Sequence, residues 1–420
     1  MSGSIHQLKP PPLDSSEFKA RYGYPADVPG RDLRFDFMRG FAMLSVVAAH
    51  FEAFSWFNFI FWERLGIVSA AEMFVIASGL VLGLVNRRVV EKDGLDQASV
   101  RLLRRVFVLY RAQVVAILLV IFISWLKIID VTAVTTFTDR FADVSYRLIP
   151  SEEASWATQL GLVLLLRVSP HQIQILSLYI VLLALTPFAL WMLRRRLFGA
   201  YFTLSWMAYF AGVLGSADHI YLGMQFEYAF PLLIWQIFYF HALCIGFFKD
   251  EISERLKVAT TRHFVLGVSF SLAFGFFIFA QTTPNPSFPT WSRLPLLNDD
   301  QFRAIYDTYF VKSRPGLPRL INVTVFFICL YAVLTYFWQP LRRLLGWLFI
   351  PLGEASLYVF LMHFVLIAFV DQLPTYFDAV PSFGAVWPVM IWVNTFIYIA
   401  LIAILWLLVR YRVLFAIIPR

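Results

Sequence analysis

Residues 31–54 read RDLRFDFMRGFAMLSVVAAHFEAF, an apolar stretch that opens with alternating basic and acidic residues and holds one histidine. A second stretch, residues 69–88, reads SAAEMFVIASGLVLGLVNRR and carries one carboxylate near its start. Each run can cross a bilayer as a helix, since about 20 residues at about 1.5 Å per residue span the hydrocarbon core. Polar groups inside such spans are costly, so the few that occur mark candidate functional positions.

The remainder of the chain repeats this pattern of long apolar runs. Its 420 residues are 60% hydrophobic and 15% charged, which excludes a disordered chain and a typical soluble domain. The sequence predicts an all-α, polytopic membrane protein with about ten transmembrane helices, a polar tail over residues 1–30 and a single transmembrane domain over 31–420. The predicted spans are 37–57, 67–85, 106–128, 171–192, 198–214, 228–248, 264–280, 319–337, 347–370 and 385–409.

The net charge of +8 is distributed unevenly between alternate loops. The loops 86–105, 193–197, 249–263 and 338–346 hold 15 basic residues in 49 positions, whereas the other set holds 8 in 116. This asymmetry predicts that the first set and both termini are cytoplasmic. The long loops 129–170 and 281–318 are then expected on the opposite face. The positive charge orients the helices, so we expect membrane lipids and no nucleic acid as partners.

The first two spans supply the predicted catalytic residues. Arg39 and His50 are 11 residues apart, which is about 1100° of helix rotation, close to three turns, and about 16 Å of rise, so they share one face. Asp36, one turn before Arg39, is predicted to support it as an ion pair. Glu72 is expected at the depth of His50, where a carboxylate would fix the imidazole tautomer of a general base. The alternative is that His50 only bonds a neighbouring helix.

A basic stripe opens the third span, where residues 100–113 read VRLLRRVFVLYRAQ. Arginine matches phosphate geometry with two parallel hydrogen bonds, so the stripe and Arg39 could hold the phosphates of a cytoplasmic donor. Positive-inside bias alone could explain the first three arginines of the stripe. The predicted donor-binding residues are Arg39, Arg101, Arg104, Arg105 and Arg111.

Other polar residues within spans are weaker candidates. We predict substrate contacts for Gln172, Tyr179, Trp235 and Gln236, with inter-helix hydrogen bonding as the alternative. His241 and His363 are interpreted as structural. The two cysteines, Cys244 and Cys329, lie in apolar stretches and favour neither a disulfide nor a metal site, and no metal is predicted. No hydrolase or ATPase motif occurs in a suitable context.

The stretches 31–50 and 70–83 resemble the opening of the OpgC family, membrane succinyltransferases of osmoregulated periplasmic glucans. More loosely, they resemble the acyltransferase-3-like superfamily of ten-helix membrane acyltransferases. That superfamily has a basic residue, ten intervening residues and a histidine in its first helix, which Arg39 and His50 match, and an Arg-x-x-Arg pattern, which Arg101 and Arg104 match. The segments ILSLYIVLLALTPFALW and FPLLIWQIFYFHALCIGFF extend the similarity. The segment EYAFPLLIWQ departs from it, since an Asn-Pro pair is expected before Trp-Gln.

The resemblance implies a multi-pass enzyme of the bacterial inner membrane that transfers an acyl group, here succinyl, from cytoplasmic acyl-CoA to hydroxyls of a periplasmic glucan. Acyl-CoA is then a co-substrate, no cofactor is tightly bound, and His50 is the general base for direct attack. One alternative is a proton-coupled secondary transporter or flippase for a glycan or lipid, with Glu72 and His50 as a proton relay. Another is an acyltransferase with a different acyl group or acceptor. A succinyl donor would favour an extra basic group in the outer half of the channel, which the sequence does not identify.

Overall fold

A computed structural model describes residues 18, 21–25, 31–51, 53–139, 144–151, 153–215, 221–285, 288–370, 372 and 387–418. Most of the predicted tail over residues 1–30 therefore lies outside the described residues. The long helices are α1 (Leu33–His50), α2 (Ala70–Leu126), α5 (Gln174–Arg194), α6 (Phe198–Leu214), α7 (Leu232–Phe247), α9 (Ala259–Gln281), α11 (Leu317–Tyr336), α14 (Ser356–Val370) and α15 (Trp387–Arg410). The short helices are α3 (Thr132–Thr135), α4 (Trp156–Leu164), α8 (Lys249–Arg255), α10 (Asp299–Tyr309), α12 (Trp338–Leu341) and α13 (Trp347–Glu354).

The fold of the described residues is all-α apart from one hairpin in the first long loop, as predicted. There β1 (Thr136–Asp139) pairs antiparallel with β2 (Val144–Arg147). Every predicted span overlaps a helix among the described residues, although α1 ends at His50, seven residues before the predicted end of the first span. The second and third spans belong to one helix, α2, which deviates from helical geometry at Gly94. Glycine reaches the positive φ of 86° found there without a steric penalty.

Five helices of the described chain are long and apolar enough to cross a membrane, or up to seven if each bent helix pair counts as one span. The first predicted span, α1, is not among the five, because its 18 residues include Arg34, Asp36 and Arg39. The structure thus supports a membrane protein. The count of ten spans and the cytoplasmic termini stay predictions.

Glycines bring two helix pairs into backbone contact. A Cβ atom added to Gly40 of α1 would collide with the backbone of Phe349 in α13, and one added to Gly353 would collide with the backbone of Asp36. On the other side of the bundle, Gly79 and Gly83 of α2 pack in the same way against the backbone of α7. Small residues let helices approach closely in membranes, where apolar side chains gain little from leaving lipid. These contacts hold α1 against α13 and α2 against α7.

A sharp bend separates α13 from α14. The two helices, which otherwise pass as one span, meet at 89° around Ala355. The bend presents Ser356, the first residue of α14, to α1, and Arg39 Nη2 donates a hydrogen bond to Ser356 Oγ over 2.6 Å. The break in the helix thereby supplies a polar partner for the arginine inside the bundle.

Candidate functional site

Polar side chains of α1 gather at two places, around Arg39 and around His50, which are 11 positions or about 16 Å of helix apart. We call the region around His50, His171 and His363 the histidine end, and the region around Arg39 and Arg105 the arginine end. The charge asymmetry of the loops predicts that the arginine end faces the cytoplasm.

A pair of imidazoles forms the centre of the histidine end. His50 Nδ1 lies 2.9 Å from His363 Nε2, and the two rings are nearly parallel, at 16°. His363 Nδ1 contacts the carbonyl oxygen of Phe360. A carbonyl oxygen only accepts, so His363 Nδ1 carries a proton and, in the neutral ring, Nε2 is an acceptor. His50 Nδ1 must then donate to it, which leaves the lone pair of His50 on Nε2, where a proton can be taken up.

Open space adjoins this pair. Ala49 is exposed and His50 is half-buried, although the preceding residues of α1, such as Ala48, are buried. A third imidazole, His171, lies with its ring 5.8 Å from that of His50 and edge-on to it. Within the described chain, no group of three or more His, Cys, Asp or Glu side chains is arranged to hold a metal ion. Because its Nδ1 donates to His363 and its side chain is partly exposed, His50 can accept a proton at Nε2 from a group that enters this space.

Glu72 does not pair with His50, and the expected carboxylate–imidazole contact is wrong. Its Oε1 accepts from Arg319 Nε over 2.5 Å, and its Oε2 accepts from Arg319 Nη2 over 3.0 Å and from the backbone N–H of Ser69 over 2.7 Å. Arg319 Nη2 also binds Glu63 over 2.6 Å. Both Arg319 and Glu72 are fully buried. A buried guanidinium requires a counter-ion. Its two parallel N–H groups also match the two oxygens of a carboxylate, which an imidazole cannot do.

At the arginine end, Arg39 has the partner predicted for it. Its Nη1 lies 3.5 Å from Asp36 Oδ1, and Asp36 is also bound by Arg31. Arg105 and Tyr179 are close enough to Arg39 for their charges to act on one another. Arg39 of α1 and Arg105 of α2 therefore lie in the same region of the bundle as the phenol of Tyr179.

The remaining arginines of the predicted donor site do not join them. Arg101 is exposed and bound to Asp93 over 2.6 Å. Arg104 and Arg111 are exposed on the face of α2 that also carries exposed Phe107. Of the stripe, only Arg105 lies near Arg39. It follows Arg104 by one residue and is therefore rotated by about 100° from the exposed face that carries Arg104 and Arg111.

Two of the four predicted substrate-binding residues use their polar groups within the protein. Gln236 exchanges hydrogen bonds with Ser205, accepting from its Oγ over 2.8 Å and donating to its carbonyl over 2.7 Å, which ties α7 to α6. Trp235 is fully buried and donates from Nε1 to the carbonyl of Lys312 over 3.1 Å. The alternative of inter-helix bonding thus describes Gln236, whereas Trp235 ties α7 to the loop between α10 and α11.

The other two candidates lie at opposite ends of the site. Gln172 is buried beside His171 at the histidine end, where its Nε2 donates to the carbonyl of Ala133 over 2.8 Å, while its Oε1 has no partner among the described residues. Tyr179 lies at the arginine end. Their contacts with a substrate stay predictions.

Sequence reasoning missed three residues of the site. His363 was interpreted as structural, and Arg319 and Lys312 were not singled out. The only signal for His363 was a histidine in the apolar run SLYVFLMHFV, and for Arg319 a charge at the edge of a span. Such residues are default site candidates, but periodicity does not show which other helix they face.

Comparison with known proteins gives one match. No curated protein and no solved structure matches the chain significantly. The family model described as OpgC protein matches residues 31–416, which include the helices α1 to α15 and both ends of the site. The protein therefore belongs to the OpgC family, transferases of osmoregulated periplasmic glucans.

Proposed function

We propose that this protein is an inner-membrane O-acyltransferase that transfers a succinyl group from cytoplasmic succinyl-CoA to hydroxyl groups of a periplasmic glucan. The observation that carries the proposal is the hydrogen bond between His50 and His363. It leaves Nε2 of His50 as a proton acceptor beside open space. A general base needs this arrangement, with a lone pair within reach of the hydroxyl that it activates.

The reaction follows from that geometry. His50 Nε2 takes the proton of a glucan hydroxyl as the oxygen attacks the thioester carbonyl carbon. The tetrahedral intermediate collapses by breaking the carbon–sulfur bond, and the departing thiolate takes the proton back from His50. The products are the glucan ester and free CoA. His363 accepts from His50 Nδ1 throughout and stabilises the imidazolium, the function that we first predicted for Glu72.

The arginine end is suited to bind an anionic donor that enters from the cytoplasm. Arg39 and Arg105 would bind phosphate oxygens of CoA, and Tyr179 lies next to them. The pantetheine arm would then follow α1 toward the histidine end. Arg101, Arg104 and Arg111 would attract the anionic donor from the surface of α2 without binding it directly. Membership in the acyltransferase-3-like superfamily, with its ten spans, would imply the same arrangement, in which donor and acceptor bind at opposite ends.

Direct transfer is favoured over an acyl-enzyme. Cys244 and Cys329 are buried in α7 and α11, and neither has a hydrogen bond to a histidine among the described residues. A thiol needs a nearby base or positive charge to become a nucleophile at neutral pH. The hydroxyl of the glucan is therefore the nucleophile in our proposal.

Purified protein in lipid nanodiscs, incubated with succinyl-CoA and unsubstituted glucan, provides the test. We expect succinylated glucan by mass spectrometry and release of one CoA for each ester formed. A matched control is His241→Gln, since His241 is a histidine of α7 that packs on Phe202 and Trp206, away from the His50–His363 pair. Movement of glucan or lipid across the membrane without release of CoA would contradict the proposal and favour the transporter.

A further inference from the structure

Lys312 is held firmly in the loop between α10 and α11. Its carbonyl oxygen accepts the indole N–H of Trp235 over 3.1 Å. Its Nζ lies 4.5 Å from the centre of the Phe230 ring, a cation–π contact that helps to fix the side chain. Among the described residues, the ammonium group has no hydrogen-bond or ion-pair partner.

The nearest carboxylates are already used. Glu72 binds Arg319 and the N–H of Ser69, and Glu63 binds Arg319 and accepts from Tyr306 Oη over 3.0 Å. The ammonium therefore keeps three N–H donors without an acceptor from the described chain. A half-buried cation whose donors meet no acceptor of the protein can form charge-assisted hydrogen bonds with an anion that reaches it.

Lys312 is also at the histidine end. Its charge acts on both His50 and His171, which places it within electrostatic range of the two imidazoles. Its side chain is half-buried, like that of His50, so the space beside both groups is accessible. An anionic group attached to the acyl carbon that reacts at His50 would thus meet a positive charge nearby.

We propose that Lys312 binds the terminal carboxylate of the acyl group and thereby selects a dicarboxylic acyl donor over a neutral one. This inference rests on the proposed acyl transfer. A succinyl group carries its carboxylate two methylenes beyond the thioester carbon, whereas a neutral acyl chain would displace water from the ammonium without replacing its hydrogen bonds. Sites that hydrogen-bond a substrate group reject analogues that lack it, because their own polar group is left unpaired.

A simpler role for Lys312 is to balance the charge of Glu63 and Glu72. Two carboxylates face two cations in this region, Arg319 and Lys312. That role would be the same for every acyl donor, since it concerns only the folding of the site. Selection by Lys312, in contrast, changes the ratio of activities between donors that differ only in the terminal carboxylate.

Succinyl-CoA and butyryl-CoA form the discriminating pair, because their acyl chains have the same length and differ in a terminal carboxylate or methyl. We expect the wild type to favour succinyl-CoA in kcat/KM by about ten- to a hundredfold, the range for a hydrogen bond to a charged group. Lys312→Met should lose this preference, mainly by lowering activity with succinyl-CoA, and Lys312→Arg should retain most of it. Lys249→Met, which removes the lysine bound to Asp32, should keep the wild-type ratio.

Two results would overturn the inference. One is a wild type that uses butyryl-CoA as well as succinyl-CoA, a measurement that needs no variant and holds even if Lys312→Met fails to fold. The other is a folded Lys312→Met that loses activity equally with both donors, since that is the result of the charge-balancing role. If the wild type transfers no acyl group from either donor, the proposed function fails as a whole.

Discussion

The Nδ1 atom of His50 and the Nε2 atom of His363 lie 2.9 Å apart, across 313 residues of sequence. Because Phe360 accepts from the other nitrogen of His363, the proton between the two rings belongs to His50. In the proposed mechanism, His363 does for His50 what a carboxylate does in a serine hydrolase, although a neutral imidazole stabilises an imidazolium less strongly.

Replacement of His50 tests the base directly. His50→Ala should lower the rate of succinyl transfer by at least about 10² to 10⁴, the usual contribution of a general base. Expression and affinity for succinyl-CoA should be close to wild type, because the donor phosphates would bind at the arginine end. The measurements are turnover by CoA release and donor binding by calorimetry. Substantial turnover in this variant would exclude the general-base role.

In the proposed mechanism His363 is a positioning residue, and its replacement should affect kcat more than KM. His363→Phe removes the acceptor for His50 Nδ1–H, so we expect kcat to fall by about ten- to a hundredfold. His363→Gln restores an acceptor oxygen and should recover part of the rate, which a purely structural role would not require. The check is a comparison of kcat and KM in folded, monodisperse samples of both variants. Equal losses in the two variants would argue against the positioning role.

The ion pair between Arg319 and Glu72 is expected to stabilise the fold. Arg319→Met leaves two carboxylates, Glu72 and Glu63, without their cation, and should cost about 3 to 5 kcal/mol in the free energy of unfolding. Glu72→Gln should cost less, since Arg319 keeps Glu63 as a counter-ion. Adding Glu72→Gln to Arg319→Met should recover part of the loss. The readout is the thermal unfolding transition in detergent.

Arg314→Gln, at an exposed position close to Arg319 in sequence, is the control for that series and should shift stability by about 0.5 kcal/mol or less. If Arg319→Met unfolds at the same temperature as this control, the buried pair does not stabilise the protein.

Local patterns in the sequence predicted the helices and the alignment of Arg39 with His50, because both depend on residues within a few turns of one another. The partners of the site residues could not be predicted in this way. Glu72 binds a guanidinium 247 residues away, and a helical period shows which face a residue occupies but not which helix packs there. The equal depth of Glu72 and His50 was a necessary condition for contact, yet Arg319 was the stronger competitor for the carboxylate.

The bend at Ala355 could not be predicted from the sequence either. Residues 347–370 form one apolar run in the sequence, and they were predicted as one span. The structure turns the chain by 89° within that run, which directs Ser356 to Arg39. Pro351, four residues before the bend, was a weak local signal, since proline disturbs the helix in which it lies.

Replacement of Arg105 and replacement of Arg111, both on α2, should lower the affinity for the donor to different extents. Arg105→Gln should weaken binding of succinyl-CoA by about ten- to a hundredfold, because it removes a charge-assisted contact at the arginine end. Arg111→Gln should weaken it much less and mainly at low ionic strength, since this residue is exposed beside Phe107. Calorimetric titrations at two salt concentrations distinguish the two effects. Equal losses of affinity in both variants would indicate that Arg111 binds the donor directly.

The last prediction concerns pH. Burial, followed by the charge of Arg319, lowers the pKa of Lys312 from its ordinary value of 10.5 to about 8. The charged or titratable groups that face Lys312 are Arg319, Glu63, Glu72, His50 and His171. Below pH 8 the ammonium is charged in the folded protein, and the succinyl carboxylate is ionised throughout this range. The preference for succinyl-CoA should therefore be constant below pH 8 and fall as the pH rises through 8.

The ratio of kcat/KM for succinyl-CoA to that for butyryl-CoA is the quantity to measure, from about pH 7 to 10. Protonation of His50 affects both donors alike and cancels in this ratio, so the remaining pH dependence reports Lys312. Because kcat/KM reports the free enzyme, the midpoint of the fall is that of Lys312 without a bound carboxylate, about pH 8. The folded protein binds fewer protons than the unfolded chain between pH 8 and 10.5, so stability linked to Lys312 rises over the window in which the preference is lost. A constant ratio across the range would contradict the assignment of Lys312 as the carboxylate-binding group.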